Sequence, residues 1–190
     1  MNRSLLPATP RLLPSEYRLL TDLLEEHAGL QFSEASSYIL ERRLGERLVE
    51  LGLSSFGEYY KFLKYNPAGE QELSRALELV TTAETYFMRQ EYQLRGLRDE
   101  VLPVLAQQNA DSRRLVLWSA GCSSGEEVYT LATLVVEAGL FRDWEVRIIG
   151  SDLSRSRVAF ARRGVYRERS FRSTTTEFRE KYFEQPKDLK

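Results

Sequence analysis

The residues best suited to hold a ligand are a run of small residues at 119–125, the acids Glu126 and Glu127 that follow it, and Asp152. The small-residue run and Asp152 each lie at the end of a short apolar stretch that is typical of a buried strand. In an open α/β sheet, ligands bind at the carboxyl ends of the strands. Small residues there let a ligand approach the backbone closely, and the helix expected after the run offers free N–H groups. The pattern therefore predicts a ligand site at this edge.

The chemistry of the site favours S-adenosylmethionine over a phosphate-bearing ligand. Residues 119–125 contain no P-loop lysine and lack the G-x-G-x-x-G spacing, and two glutamates at the start of the next helix would repel a phosphate. A zwitterion with an amino group and a sulfonium suits Glu126 better, and Asp152 is placed to accept hydrogen bonds from two ribose hydroxyls. Simpler explanations stay open, with Glu126 as a first-turn helix stabiliser and Asp152 as part of a helix cap.

Two strands joined by a helix must position these residues. Residues 114–118 predict a strand buried on both faces, and a helix at 126–139 leads to a second strand at 146–150. This order predicts a parallel crossover that opens a doubly wound sheet, with further helices at 154–163 and about 175–183. Two strands are fewer than the roughly four to six usual in such sheets. We therefore expect either that the chain is a fragment or that the rest of the sheet comes from elsewhere.

The first 82 residues predict a small helical bundle. Apolar residues recur at spacings of three and four within helices expected at about 15–29, 35–51, 54–66 and 70–82. The prolines in and next to residues 1–13 predict a flexible arm before the bundle. Residues 83–91 break the helical periodicity and are expected to form an ordered linker. A helix at about 92–107 follows, and Pro103 is expected to kink or shorten it.

Composition and charge limit the class of protein. The 190 residues carry a net charge of −1, which gives no overall attraction to nucleic acid or to anionic membranes. The single cysteine, Cys122, cannot form an internal disulfide and is interpreted as a packing residue, and no metal-ligand cluster is evident. The first residues lack the apolar run of a secretory signal peptide, and no stretch is apolar enough to span a membrane. We expect a soluble cytoplasmic protein without metal, nucleic-acid partner or membrane insertion.

Four motifs resemble segments of the CheR-type chemotaxis receptor methyltransferases, which modify glutamate side chains of proteins. The most specific one, similar to the family's cofactor loop, is Leu117-Trp-Ser-Ala-Gly-Cys-Ser-Ser-Gly-Glu-Glu-Val-Tyr129. The others are Thr85-Tyr-Phe-Met-Arg89, Ser151-Asp152 continued by Ala161-Arg-Arg-Gly-Val-Tyr166, and Arg43-Leu-Gly-Glu-Arg47-Leu followed by Leu51-Gly-Leu-Ser-Ser-Phe56 and Tyr59. Together they span about residues 38–183 in the family's order.

The resemblance implies an α/β fold with a small helical domain at its N-terminal end. Residues 14–82 would form that domain, and residues 83–91 a linker that contributes to the cofactor site. Residues 92–190 would form the first half of a Rossmann-like class I methyltransferase domain. The implied reaction transfers a methyl group from S-adenosylmethionine to glutamate side chains on the cytoplasmic domain of methyl-accepting chemoreceptors, as part of chemotaxis signal transduction.

The resemblance also implies roles for single residues. The positions that match the family's cofactor-binding residues are Thr85, Arg89, Glu126 and Asp152. Arg89 can pair with the methionine carboxylate, Glu126 can accept from its amino group, and Asp152 can hold the ribose. Arg43 and Arg47 match basic positions associated with binding the acidic receptor, and they lie four residues apart on one helix face. No catalytic base is expected, because alignment of an activated donor with an ionised glutamate could supply most of the acceleration.

Other hypotheses compete with this one. A truncated, non-catalytic relative would use its helical domain to bind a receptor or signalling partner, and the expected lack of later strands favours it for this chain. The matches at Arg89, Glu126 and Asp152 favour the enzyme. An NAD-dependent oxidoreductase shares the ribose aspartate but is disfavoured by the acidic loop. An incomplete sheet would also expose strand edge and apolar surface, which predicts self-association.

Overall fold

The computed structural model of the protein describes residues 9–81 and 84–185, apart from the side chain of Glu34. The chain divides into two compact units, Met1–Thr82 and Ala83–Lys190. Most of the arm expected at residues 1–13 lies outside the described residues, as does the point at which the helical domain is expected to meet the linker. The finer division into arm, helical domain, linker and partial second domain therefore stays a prediction.

The first unit is helical, as the apolar spacing predicts. Its helices are α1 (Pro14–Ala28), α2 (Ser37–Glu50), α3 (Phe56–Tyr65) and α4 (Gly69–Val80), with a 3₁₀ turn at Glu34–Ser36. Local signals fix the ends of these helices. Gly29 ends α1 in the left-handed conformation, with φ of 64°, and the Ser55 hydroxyl accepts the N–H of Glu58 at the start of α3. The helices share one core, whose fully buried residues include Leu20, Leu24, Leu44, Leu48, Phe56, Tyr59 and Ala76.

The second unit begins with a helix that is interrupted close to its proline. Helix α5 (Glu91–Gly96) continues through a π-helical turn, Leu97–Val101, into α6 (Leu102–Gln108). Pro103 lies in the first turn of α6. Since proline has no N–H to donate to the preceding turn, regular α-helical bonding is lost just before it. The prediction that Pro103 shortens this helix is wrong, since α6 continues to Gln108, and the predicted alternative of a kink stays a prediction.

The parallel unit that positions the candidate site also follows the prediction. Strand β1 (Arg114–Ala120), helix α7 (Glu126–Ala138) and strand β2 (Glu145–Ser151) follow one another, and β1 pairs with β2 in parallel. Helices α8 (Arg155–Arg163) and α9 (Thr176–Tyr182) come after β2, separated by a 3₁₀ turn at Glu168–Phe171. In the described part of the chain, the sheet consists of these two strands.

The prediction that the first strand is buried on both faces is wrong. Leu115 of β1 is buried and packs with Leu102 of α6 and Val135 of α7. The other face of the sheet is open, with Val116 60% and Trp118 69% exposed. Among the described residues, the helices cover one face of the sheet. The apolar run predicts burial on both faces, although only one face of the strand is covered. No described helix is both long enough and apolar enough to cross a membrane.

Candidate functional site

The loop after β1 folds over the end of β2. The N–H groups of Gly121 and Cys122 both donate to the carbonyl of Ser151, at 2.8 and 2.9 Å. The path requires glycine at Gly125, where φ is 93° and an added Cβ would lie only 2.7 Å from the Cβ of Ala161. The small residues of the loop therefore bring the carboxyl ends of the two strands together.

Asp152 ties this loop to the start of α8. One carboxylate oxygen accepts the N–H of Ser123 at 2.7 Å, and the other accepts the N–H of Ser154 at 2.8 Å. Ser154 itself caps α8, since its hydroxyl accepts the N–H of Arg157 at 3.1 Å. Helix capping thus accounts for only one of the two bonds. Each oxygen of Asp152 retains a lone pair that could accept from a ligand hydroxyl.

Glu126 is almost completely buried, with 2% of its surface exposed. Its carboxylate accepts the hydroxyls of Ser124, at 2.7 Å, and of Ser170, at 2.9 Å. No arginine, lysine or histidine among the described residues lies within ion-pair distance of it. An ordinary first-turn glutamate remains in water, as its neighbour Glu127 does while accepting the Ser119 hydroxyl at 2.6 Å. A buried carboxylate held only by neutral donors and a helix dipole is costly, because it has lost its hydration without gaining a cation.

The segment before α5 is ordered against α7 and the 3₁₀ turn. The N–H of Phe87 donates to the Ser170 carbonyl at 2.9 Å, and the N–H of Met88 donates to the Thr130 hydroxyl at 3.2 Å. Phe87 is fully buried. Its ring packs against an aromatic cluster with centroid distances from 4.8 to 6.4 Å, formed by Tyr166, Phe171, Phe178 and Phe183. Ser170 therefore links this segment to Glu126, because its carbonyl accepts the N–H of Phe87 while its hydroxyl donates to the Glu126 carboxylate.

The predicted cofactor residues are only partly brought together. Thr85 and Glu126 line one cleft of about 570 Å³, whereas Arg89 and Asp152 are not part of its described lining. Arg89 is exposed and donates to the Glu84 carbonyl at 2.5 Å. Its neighbours Met88 and Gln90 both adopt left-handed conformations, with φ of 60° and 62°. The cofactor-binding roles of these residues stay predictions.

The two arginines predicted to bind a receptor make bonds within the helical unit. Arg43 donates from one nitrogen to three carbonyls at 2.9 to 3.3 Å, those of the last two residues of α4 and of its cap, Thr81. Arg47 makes a bidentate pair with Glu72, at 2.8 and 2.6 Å, and Tyr59 donates to the same carboxylate at 2.9 Å. The bond to Glu72 raises the pKa of Arg47, and burial together with the Glu72 charge raises the pKa of Tyr59. Receptor binding by Arg43 and Arg47 stays a prediction.

Several residues of the site escaped the sequence reasoning. Ser170 lies 44 residues after Glu126 in an otherwise unremarked turn, so nothing in the sequence connects the two. Tyr166, inside a recognised motif, donates its hydroxyl to the Ser124 carbonyl at 2.8 Å, and burial raises its pKa. The hydroxyl oxygen of Ser123 is buried and has no hydrogen-bond partner among the described residues.

The packing role of Cys122 fits the structure, and no metal cluster is found among the described residues. Cys122 is buried, and burial followed by the charge of Asp152 raises the pKa of its thiol. Its sulfur lies where a side chain at Gly150 would extend, since an added Cβ there would be 2.9 Å away. In the parts of the chain that the structure describes, His, Cys, Asp and Glu form no group that could hold a metal ion.

Comparison with known families agrees with this architecture. Residues 15–81 match the all-alpha domain of CheR methyltransferases, and residues 83–190 match their SAM-binding domain. The chain belongs to the CheR methyltransferase family. The family match confirms the predicted α/β fold class and the cofactor predicted from the loop, S-adenosylmethionine.

Curated proteins similar to this CheR-family chain include bacterial methyltransferases. A chemotaxis protein methyltransferase of Borreliella burgdorferi is 31% identical over 92% of this chain and 63% of its own length. A probable chemotaxis protein methyltransferase of Rhizobium etli is 31% identical over 85% of this chain and 60% of its own length. A probable biofilm formation methyltransferase, WspC, of Pseudomonas putida is 34% identical over 85% of this chain and 37% of its own length. The chain thus spans about 60% of the first two relatives.

Proposed function

We propose that this chain binds S-adenosylmethionine at the carboxyl edge of β1 and β2, and that it serves the transfer of the methyl group to glutamate side chains of chemoreceptors. The observation that carries the proposal is the carboxylate of Glu126, which is buried without a cation among the described residues. An ammonium group is the natural partner for such a carboxylate, and the amino group of the cofactor supplies one. A phosphate at the same place would add a second uncompensated negative charge.

The remaining donors and acceptors fit the other parts of the cofactor. Asp152 keeps acceptor capacity for the ribose hydroxyls after binding the N–H groups of Ser123 and Ser154. Arg89 uses one of its five N–H groups on the Glu84 carbonyl and has others for a carboxylate. The unpartnered hydroxyl of Ser123, beside Asp152, would gain a partner if a ligand entered the loop.

The reaction requires the protein mainly to position the methyl donor and the glutamate acceptor. When bound, S-adenosylmethionine supplies a methyl group that its positively charged sulfur has already activated. A glutamate acceptor is ionised at neutral pH, so no residue of the chain has to remove a proton from it. Glu126 and Asp152 would hold the two ends of the donor, and the rigid connection from Ser170 to Phe87 would keep the walls of the site in place.

The binding part of the proposal is tested by calorimetric titration of the 190-residue chain with S-adenosylhomocysteine. We expect Glu126→Gln and Asp152→Asn each to weaken binding by about 1–3 kcal/mol, which is the scale for stranding a hydrogen-bonding partner. Glu127→Gln is the matched control, because it removes an adjacent exposed carboxylate of the same helix. No binding at millimolar ligand would exclude the cofactor site in this chain, and an unchanged affinity for Glu126→Gln would remove Glu126 from it.

The transfer part of the proposal needs a separate measurement. The chain is incubated with a radiolabelled methyl donor and the purified cytoplasmic domain of a chemoreceptor. Methyl esters of glutamate hydrolyse in mild alkali and release volatile methanol, whereas methyl groups on nitrogen do not. We expect alkali-labile label on the receptor, and alkali-stable label would contradict a carboxylate acceptor.

A further inference from the structure

Residues 155–172 form a strongly basic stretch in a chain that is otherwise close to neutral. We call them the arginine segment. They contain seven arginines and one acid, Glu168, whereas the whole chain has a net charge of −1. That single acid is paired with an arginine outside the segment, since Arg179 lies 2.5 Å from its carboxylate. The charge of the segment is therefore not neutralised from within.

Most of these arginines also lack a carboxylate partner elsewhere in the described residues. Arg172 is the exception, since it lies 2.7 Å from the Glu84 carboxylate and stacks 3.7 Å above the ring of Tyr86. Arg163 lies over the ring of Phe160 at 5.2 Å, which does not neutralise it. No ion pair in the described part of the chain involves Arg155, Arg157, Arg162, Arg163, Arg167 or Arg169. Four of them, Arg157, Arg163, Arg167 and Arg169, line one cleft, where their charges repel one another, and an anionic partner would relieve that repulsion.

Five arginines of the segment line the same cleft as Glu126 and Thr85. They are Arg157, Arg163, Arg167, Arg169 and Arg172. A cleft lined by charges of one sign concentrates their field and attracts the opposite charge. The lining of this cleft is therefore strongly basic, and it also contains the carboxylate proposed to hold the methyl donor.

We propose that the arginine segment docks an acidic stretch of the protein that carries the acceptor glutamate. This inference rests on the proposed function, because the acceptor itself is a carboxylate and must reach the same cleft. The arginines of the lining extend from Arg157 to Arg172, and the repeated carboxylates of an acidic helix can pair with several of them. Arg157 and Arg163 are six residues apart in α8, or about 9 Å along its axis, a spacing that an acidic helix also offers.

Docking is tested by fluorescence anisotropy with a synthetic 20-residue helical peptide of alanine with glutamate at every third or fourth position. The test variant carries Arg167→Gln and Arg169→Gln, two exposed arginines of the cleft lining. The control carries Arg155→Gln and Arg162→Gln, which remove the same charge from exposed positions of the same segment outside that lining. We expect at least a tenfold loss of peptide affinity in the test variant and less than a twofold loss in the control.

Several outcomes would overturn the docking proposal. It fails if the wild-type chain does not bind the glutamate peptide, or if it binds an otherwise identical glutamine peptide equally well. It also fails if both arginine pairs weaken binding equally, which would indicate a general charge effect. Binding to phosphatidylglycerol vesicles that depends on the cleft arginines, with no such dependence for the peptide, would identify a membrane surface as the partner instead.

Folding and cofactor binding are measured on the same samples. Arg167→Lys with Arg169→Lys keeps the charge and is expected to keep affinity within about threefold, and circular dichroism melting checks that each variant is folded. Titration with S-adenosylhomocysteine separates the two proposals. Peptide binding without cofactor binding would overturn the proposed function while leaving an acidic-peptide surface, and cofactor binding without peptide binding would overturn the docking proposal alone.

Discussion

Replacing Arg47 by glutamine should destabilise the helical unit, whatever its effect on a receptor. The Arg47 side chain is 16% exposed and that of its partner Glu72 only 6% exposed. Two charged hydrogen bonds to Glu72, at 2.8 and 2.6 Å, would be lost together with one to exposed Glu50 at 2.6 Å, and Glu72 would keep only the hydroxyl of Tyr59. Removing one partner of a buried pair costs about 3–5 kcal/mol, because the other charge remains buried and uncompensated. We expect this loss in the free energy of unfolding of the first unit.

The assay must report on the first unit alone. The chain has two tryptophans, Trp118 and Trp144, and both belong to the second unit. Tryptophan fluorescence would therefore report the unfolding of the second unit instead of the first. Peptide-resolved hydrogen exchange of α2 and α4 reports the first unit directly. A loss of 3–5 kcal/mol corresponds to exchange about 150- to 5,000-fold faster in the most protected amides. Arg42→Gln, an exposed neighbour in the same helix, should change exchange by less than about threefold.

Two further variants decide between a structural role and a direct role in receptor binding. Arg47→Met combined with Glu72→Leu and Tyr59→Phe removes both charges and the hydroxyl that Glu72 binds, and it should recover much of the lost stability, because buried ion pairs are often replaceable by apolar groups. If Arg47→Gln leaves hydrogen exchange unchanged while it weakens receptor binding, the structural reasoning is refuted and the residue contacts the receptor. If exchange accelerates as expected, any receptor defect of this variant follows from the unfolding of α2.

Three further predictions concern the second unit. Gly125→Ala should destabilise it by at least about 1–2 kcal/mol, because φ is 93° and the new Cβ would meet Ala161. Urea titration followed by tryptophan fluorescence measures this loss. Gly121→Ala is the control, since the new Cβ would have open space there and the variant should cost only the backbone strain. Phe87→Ala should cost about 3–5 kcal/mol in the same titration, and a loss below 1 kcal/mol would show that the aromatic cluster does not anchor this segment. Burial raises the pKa of Cys122 above the ordinary value of 9.0, so its contribution to stability is complete below that pH and is lost as the pH rises above it. Alkylation by iodoacetamide at pH 8 should therefore be much slower in the native chain than in guanidinium, and equal rates would contradict the burial of this thiol.

Local signals predicted the elements of the fold well. Apolar spacing and the capping residues Gly29 and Ser55 act within a few residues of one another, so the helices of the first unit could be placed from sequence. Some effect of Pro103 on its helix was expected for the same reason, because a missing N–H acts on its own helix, but the π-helical turn before it was not predicted. The parallel pairing of β1 and β2 followed from their order along the chain.

Features that depend on contacts distant in sequence could not be predicted in this way. Ser170 becomes a partner of Glu126 only because the 3₁₀ turn packs against the start of α7. Arg47 looks like a surface cation in its helical pattern, and only the fold places Glu72 beside it. The apolar run of β1 gave no indication of which of its faces would be covered, since that depends on where the helices pack.

Under the proposed function, acidic residues of the candidate site hold the methyl donor, and basic residues attract the acceptor. The donor is a cation, and the residues proposed to hold it are the acids Glu126 and Asp152, both fixed by hydrogen bonds to the loop around them. The acceptor is an anion, and five arginines of the arginine segment, residues 155–172, line the cleft that Glu126 also lines. Each reactant would then be attracted to side chains of the opposite charge, and misplacement of either would bring like charges together. Such a division aligns donor and acceptor without a proton-transfer residue, which is consistent with a reaction whose barrier is lowered chiefly by orientation.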